Sequence, residues 1–177
     1  MAEGDPAQIP ALSADCSSCM GICCVAPSFE KGAEFALSKP ALTPCPHLND
    51  KDRCKIYRNL DWHGFSACGA FDCKGAGQYL TQVVYPGKHW RDSPALKAEM
   101  AETYRRLRRV HDLIEVFTLA KSLPLDERQE TARQTALISL APEDGWTAEG
   151  LIEAEAAGLF GDMQKTLRSF QSAYARK

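Results

Sequence analysis

Apolar residues are distributed along this chain in two different ways. From Ser93 onward they follow helical steps. Leu96, Met100, Tyr104, Leu107, Val110, Ile114 and Phe117 are separated by four, four, three, three, four and three positions, which makes one stripe on a single helix. Ser93 as N-cap and Pro94 at the first helical position open that helix. Leu123-Pro124 stops it near Lys121. Three shorter helices are expected behind it. One is capped by Asp126, turns Ala132, Ala136 and Leu137 inward, and ends near Ala141-Pro142. The next is capped by Thr147, runs through Leu151, Ile152 and Ala156, and is terminated by Gly158. The last is capped by Asp162, with Met163, Leu167, Phe170 and Tyr174 on one face. No self-similarity at 20 to 50 residues points to a repeat array.

Residues 15–92 carry no such rhythm. They are rich in Gly, Pro, Asp and Cys, with two short apolar stretches: a helical turn expected over Glu30 to Leu37 and stopped by Lys39-Pro40, and a strand expected over Gln78 to Tyr85 and ended by Pro86. The first 14 residues, with two prolines and small side chains, read as a flexible arm. A segment with so little periodic apolar surface needs a staple to hold one conformation. The expected fold is therefore mainly α. An irregular, metal-stapled, cysteine-rich N-terminal module over 15–92 precedes a bundle of about four helices over 93–177.

Composition changes this picture at one point. The 177 residues are 45% hydrophobic and 25% charged with a formal net charge of −2, ordinary values for a globular chain. The charge shows no polarity: residues 1–93 hold 9 basic and 10 acidic side chains, and residues 94–177 hold 12 and 13. That balance argues against a nucleic acid partner. No apolar run reaches the ~20 residues of a membrane span. The start Met1-Ala-Glu-Gly-Asp-Pro lacks the pattern of a secretory signal, so the cytoplasm is the expected compartment.

Cysteine is the exception. All eight cysteines, Cys16, Cys19, Cys23, Cys24, Cys45, Cys54, Cys68 and Cys73, fall within 58 positions, and the remaining 104 residues to the C-terminus hold none. In a reducing compartment such density favours metal over disulfides. The opening Cys16-x2-Cys19-x3-Cys23-Cys24 lets a short turn present two thiolates to one ion at ~2.3 Å. Gly21 suits a tight turn between the pairs because it tolerates positive φ. Adjacent side chains diverge, so the Cys23-Cys24 doublet suggests two ions, a cluster, or one ligand beside one packing thiol. An all-thiolate inventory suits zinc or iron and disfavours calcium and magnesium. His47, two residues after Cys45, is a further candidate ligand.

These motifs resemble the bacterial YkgJ-like family of zinc- or iron-chelating cysteine-cluster domains. The likeness rests on Cys16-x2-Cys19-x3-Cys23-Cys24, Cys45-Pro-His-Leu48, Cys54-Lys-Ile56-Tyr57, and the closing Cys68 and Cys73. From Asp15 to Gln78 the chain is similar to a module that precedes pentapeptide repeats in some bacterial proteins. Gly64-Phe65, Cys68 and Asp72-Cys73-x-Gly75-Ala76-Gly77-Gln78 carry that similarity. The resemblance covers about residues 15–85 and implies metal binding. An Arg-Pro step before the closing cysteines is replaced by a longer Arg58-to-Ala67 segment, and no pentapeptide repeats come after it.

The remaining candidates read more plainly. Gly75-Ala-Gly77 lacks the third glycine of a dinucleotide fingerprint. Asp72 is a turn residue and His63 sits in a turn. Arg105, Arg106, Arg108 and Arg109 are interleaved with acids as on a solvated helix face. No triad order, paired-carboxylate motif or phosphate loop stands out, so a catalytic role is not expected. The function expected is a non-catalytic metal-binding protein with an all-cysteine zinc or iron–sulfur site, acting as scaffold, carrier or interaction module. Its partners are then a metal ion and a protein met through the helical half, with neither nucleic acid nor membrane. The alternatives are an electron-transfer protein with an iron–sulfur cluster or reactive thiols, and, more weakly, a metal-dependent enzyme.

Overall fold

The computed structural model describes residues 9–174. It is mainly helical, with 54% helix and no strand among the described residues. Two compact units divide it. One is Ser13–Arg108, and the other takes the residues from Arg109 on together with 9–12. The expected arm over 1–14 lies outside the described residues for its first eight positions. No described helix is long and apolar enough to cross a membrane.

In the Ser13–Arg108 unit, loops are tied by hydrogen bonds rather than by sheets. Two isolated antiparallel bridges, Phe29 with Lys39 and Leu48 with Cys54, close the longest loops. Two short helices come next in the chain: α1 over Ser66–Ala70 and α2 over Ala76–Tyr79. The strand expected over Gln78 to Tyr85 does not form. α2 instead runs into a wider π turn over Leu80–Val84, closed by the Tyr85 N–H on the Leu80 carbonyl at 3.0 Å. Gly75, at φ 77°, turns the chain into α2, and burial of Ala76 and Leu80 overrides the β preference of the two valines. The helical turn expected over Glu30 to Leu37 is likewise a series of bends. There Phe29 and Phe35 stack at 4.3 Å, each edge-on to the buried Phe65 at 6.3 Å. That aromatic trio holds the loop together with the Phe29–Lys39 bridge and the Gly32 N–H on the Phe35 carbonyl at 2.9 Å.

The long helix α3 spans Pro94–Leu119, with the Ser93 hydroxyl accepting the Leu96 N–H at 3.1 Å as its N-cap. Its first half belongs to the cysteine-bearing unit, where Met100 and Leu107 are fully buried and Tyr104 nearly so. Its second half belongs to the other unit, where Val110, Ile114 and Phe117 are fully buried, each burial favourable by roughly 1.5–3 kcal/mol.

That second unit continues through α4 (Glu127–Leu140), α5 (Ala148–Ala156), α6 (Leu159–Ser169) and the short α7 (Gln171–Tyr174). Asp126 and Gln129 form a reciprocal capping box on α4, and Thr147 caps α5 through the Gly150 N–H. The fourth helix starts earlier than its expected Asp162 cap. Gly158 ends α5 in the left-handed region at φ 91°, and α6 resumes at once from Leu159, leaving Asp162 in its first turn. Arg133, 6% exposed, pairs with Glu130 at 2.6 Å and donates to the Phe117 carbonyl at 3.2 Å.

Candidate metal centre

The cysteine segments are drawn together by the backbone. Asp15 caps the turn Cys16–Ser18, accepting the Ser17 N–H at 2.8 Å. Gly21 then reverses the chain at φ 69°, where an added Cβ would lie 2.9 Å from Leu48 Cδ1 and 3.1 Å from the Asp52 carbonyl oxygen. Any other residue would be strained and crowded there. The next turn, Ile22–Cys24, carries the cysteine doublet.

From this turn the chain reaches the later cysteines in two directions. The Cys24 carbonyl accepts the Cys45 N–H at 3.0 Å. Cys45 leads into a tight hairpin in which Lys55 N–H donates to the His47 carbonyl at 2.8 Å, bringing Cys54 back alongside. Cys68, on α1, lies just beyond the buried Phe65, and the Phe65 ring meets His47 edge-on at 5.2 Å. In the other direction, Gln78 on α2 accepts the Asp15 N–H at 2.6 Å and donates to the Ser13 carbonyl at 2.9 Å. Cys73 sits just ahead of α2, its carbonyl taking the Ala76 N–H at 3.0 Å. Thr81 accepts the Met20 N–H at 3.2 Å, and Arg53 donates to the Cys19 carbonyl at 2.9 Å and to the Ser17 carbonyl.

The result is that all eight cysteines line one cavity of about 920 Å³, together with His47. All eight are free thiols. Among the described residues, no three His, Cys, Asp or Glu side chains stand close enough about one point to hold an ion as they are placed. The sulfurs are gathered but not converged.

Gly77 shows how close two of them come. A Cβ on this residue would lie 2.7 Å from Cys19 Sγ and 3.9 Å from Cys73 Sγ. The Gly75-Ala-Gly77 pattern is therefore explained by a left-handed entrance to α2 and by room for sulfur, not by a phosphate. Backbone N–H groups also face the sulfurs: those of Gly21 and Ile22 face Cys19, those of His47 and Leu48 face Cys45, and that of Ile56 faces Cys54. Each favours the thiolate, as hydrogen bonds to a charged form do.

Burial works against them. It is the leading cause that pushes the thiols of Cys16, Cys19, Cys45 and Cys54 up, and it takes Cys68 to about 11. The neighbouring sulfurs add to the rise, since like charges gathered together disfavour one another. The adjacent Cys23 and Cys24 influence each other: their interaction, with burial, pushes the Cys23 thiol well up, and it pulls the Cys24 thiol down, with Lys39 adding to the latter effect. A bound cation would reverse the penalty on every sulfur it touches.

The donor set fits a thiolate-bound metal, and a buried hydroxyl points the same way. Tyr104, 7% exposed on the first half of α3, has an Oη with no hydrogen-bond partner. Burial is the main cause that pushes its phenol far up, followed by the charges of Cys23 and Cys73. An orphaned buried hydroxyl costs roughly 1–3 kcal/mol unless something beside it accepts. Periodicity identified Tyr104 only as core.

Lys39 also escaped the sequence reading. Only 2% exposed, its ammonium donates to the carbonyls of Val25 (3.2 Å), Pro40 (3.0 Å), Thr43 (2.8 Å) and Pro27. Nothing in its spacing sets it apart from a surface lysine such as Lys31, which lies between the same two cysteine motifs. His47 contributes a backbone N–H to Cys45, while its ring packs on Phe65 and has its pKa lowered by burial, then by His63 and Lys55. Asp72 is the turn residue expected, accepting the Lys74 N–H at 2.8 Å. Arg105 and Arg106 are paired with Glu102, and Glu102, Arg105 and Arg108 all border the cavity, with the Arg108 guanidinium 5.4 Å from the Phe71 ring.

Comparison with known proteins adds little chemistry. No family model matches the chain, and no solved structure matches it. It is 39% identical over 115 residues to an uncharacterized protein of Bacillus subtilis (strain 168), YybG. The matched stretch is 65% of this chain, which spans 40% of the length of that relative.

Proposed function

We propose that this chain is a non-catalytic metal-binding protein whose cysteine sulfurs hold zinc, or iron in an iron–sulfur cluster, within the Ser13–Arg108 unit. One observation carries the reading: eight thiols scattered over 58 residues all face a single cavity. Packing alone does not account for that placement, because none of the eight is a fully buried core residue, yet all line the same cavity. The resemblance of residues 15–85 to the cysteine-cluster family supports the same conclusion. A bound metal supplies positive charge that stabilises the thiolates and converts a loop-rich unit into a stapled one. Scaffold, carrier or interaction module is the corresponding role, with the helical half available to a protein partner.

The test is anaerobic purification of the native protein with elemental analysis and a visible spectrum. Stoichiometric zinc without a visible band assigns a closed structural site. A brown protein that bleaches in air assigns an iron–sulfur centre and moves the role to electron transfer. A folded chain containing neither metal overturns the proposal.

A further inference from the structure

The backbone reaches from the Cys16–Cys24 segment toward two separate groups of later cysteines. We infer that the chain holds two four-sulfur metal sites side by side, one built from Cys16, Cys19, Cys23 and Cys73 and the other from Cys24, Cys45, Cys54 and Cys68. The inference rests on the metal-binding reading above and gives it a stoichiometry and a ligand assignment.

Two sets of contacts carry it. The first site is tied by the Asp15–Gln78 and Met20–Thr81 hydrogen bonds, which lash the Cys16–Cys19 turn to α2 behind Cys73, and Gly77 leaves Cys19 and Cys73 sulfurs within 3.9 Å of one point. The second is tied by the Cys45 N–H on the Cys24 carbonyl and by the hairpin that returns Cys54 beside Cys45. Cys68, on α1, joins the second group because it follows Phe65, whose ring meets that of His47, two residues from Cys45, at 5.2 Å.

Each site has its own polar neighbour. The unpartnered Tyr104 hydroxyl belongs to a side chain that lines the cavity with Cys19, Cys23 and Cys73 of the first site. The Lys39 ammonium donates to the carbonyl of Val25, next in the chain to Cys24 of the second, where its charge offsets part of what four thiolates bring to one divalent ion. Both sites call for a soft, tetrahedral, thiolate-binding metal. With metal–sulfur bonds of ~2.3 Å, binding must draw the sulfurs of each group to about 3.8 Å from one another, closer than any three described ligands now stand about one point.

The experiment is a cobalt(II) titration of the full metal-free chain under anaerobic conditions, monitoring thiolate-to-cobalt absorption. Saturation at two equivalents is expected, and at one equivalent in both Cys68→Ser and Cys73→Ser. Saturation of the wild type at one equivalent overturns the two-site inference while leaving metal binding intact. Loss of both equivalents in folded Cys24→Ser also overturns it, since that residue would then bridge the ions. Absence of any thiolate band overturns the underlying reading as well. A second measurement needs no variant: with one equivalent of zinc bound to the wild type, alkylation mapped by mass spectrometry should protect cysteines in blocks that match the two groups. Protection that mixes them contradicts the assignment. If the native protein carries iron, each of Cys68→Ser and Cys73→Ser is expected to retain half of it.

Discussion

At the scale of single residues, the cysteine unit depends on positions that hold sulfur in place without being sulfur. Gly77 is the sharpest. An alanine methyl would fall 2.7 Å from Cys19 Sγ, and a metal-bound sulfur cannot move aside as a free thiol can. Gly77→Ala is therefore expected to weaken metal affinity at least tenfold, about 1.4 kcal/mol, while leaving the metal-free chain unchanged or slightly more stable, since alanine favours helix over glycine. Competition with a chelator, compared with urea unfolding of the metal-free protein, checks both halves. Equal affinity for metal in the two proteins would contradict the close approach. Lys39 acts through the backbone. Replacing it by methionine leaves the four carbonyls it joins without their cation, and a loss of about 3 kcal/mol in urea unfolding is expected. A loss under 1 kcal/mol would show that water replaces the ammonium at no cost.

At the scale of elements, the helices from Arg109 on obey local rules, and this is where the sequence was most legible. The Asp126–Gln129 capping box was visible as an N-cap before an apolar rhythm, and Asp126→Ala should cost about 1 kcal/mol in thermal unfolding. The Glu130–Arg133 pair on α4 adds a pH dependence. Hydrogen bonding from Arg133 is the main cause that lowers Glu130 from 4.5 to about 2. Its contribution is therefore complete above pH 4.5 and is lost as the pH falls through about 2. Glu130→Gln should be less stable than wild type at pH 6, the gap narrowing between those two values. A gap independent of pH would contradict the assignment.

Legibility failed where elements are set by non-local contacts. Val83, Val84 and Tyr85 look like a strand, but among the described residues no neighbouring strand pairs with them, and burial of Leu80 and Tyr85 takes the segment into a π turn. The turn over Glu30 to Leu37 loses to the Phe29–Phe35–Phe65 cluster, whose third member comes from 30 residues further along the chain. Gly158 was read as a terminator, which it is, but its ability to end one helix and launch the next within a single residue was not visible in the Asp162 signal.

At the scale of the whole molecule, chemistry and architecture share a boundary that falls within α3: the cysteine unit ends at Arg108, and helical packing alone builds the unit from Arg109 on. Cysteine count and spacing named the eight candidates. They did not show that Tyr104 would bring an unsatisfied hydroxyl to the side chains lining the same cavity, because that comes from folding distant segments together. The unit buries thiols whose ionisation is opposed by desolvation and by each other, so its stability is expected to be coupled to bound cation. Adding a strong chelator under reducing conditions should lower the unfolding temperature of residues 13–108 while leaving helical signal from the later helices. A single unchanged transition would argue against metal stapling.

X-ray absorption at the metal edge of the purified native protein tests the central claim most directly. The account predicts a first shell of sulfur alone, at ~2.3 Å and close to four per metal. A first shell dominated by nitrogen or oxygen, or a protein without metal to measure, would contradict it.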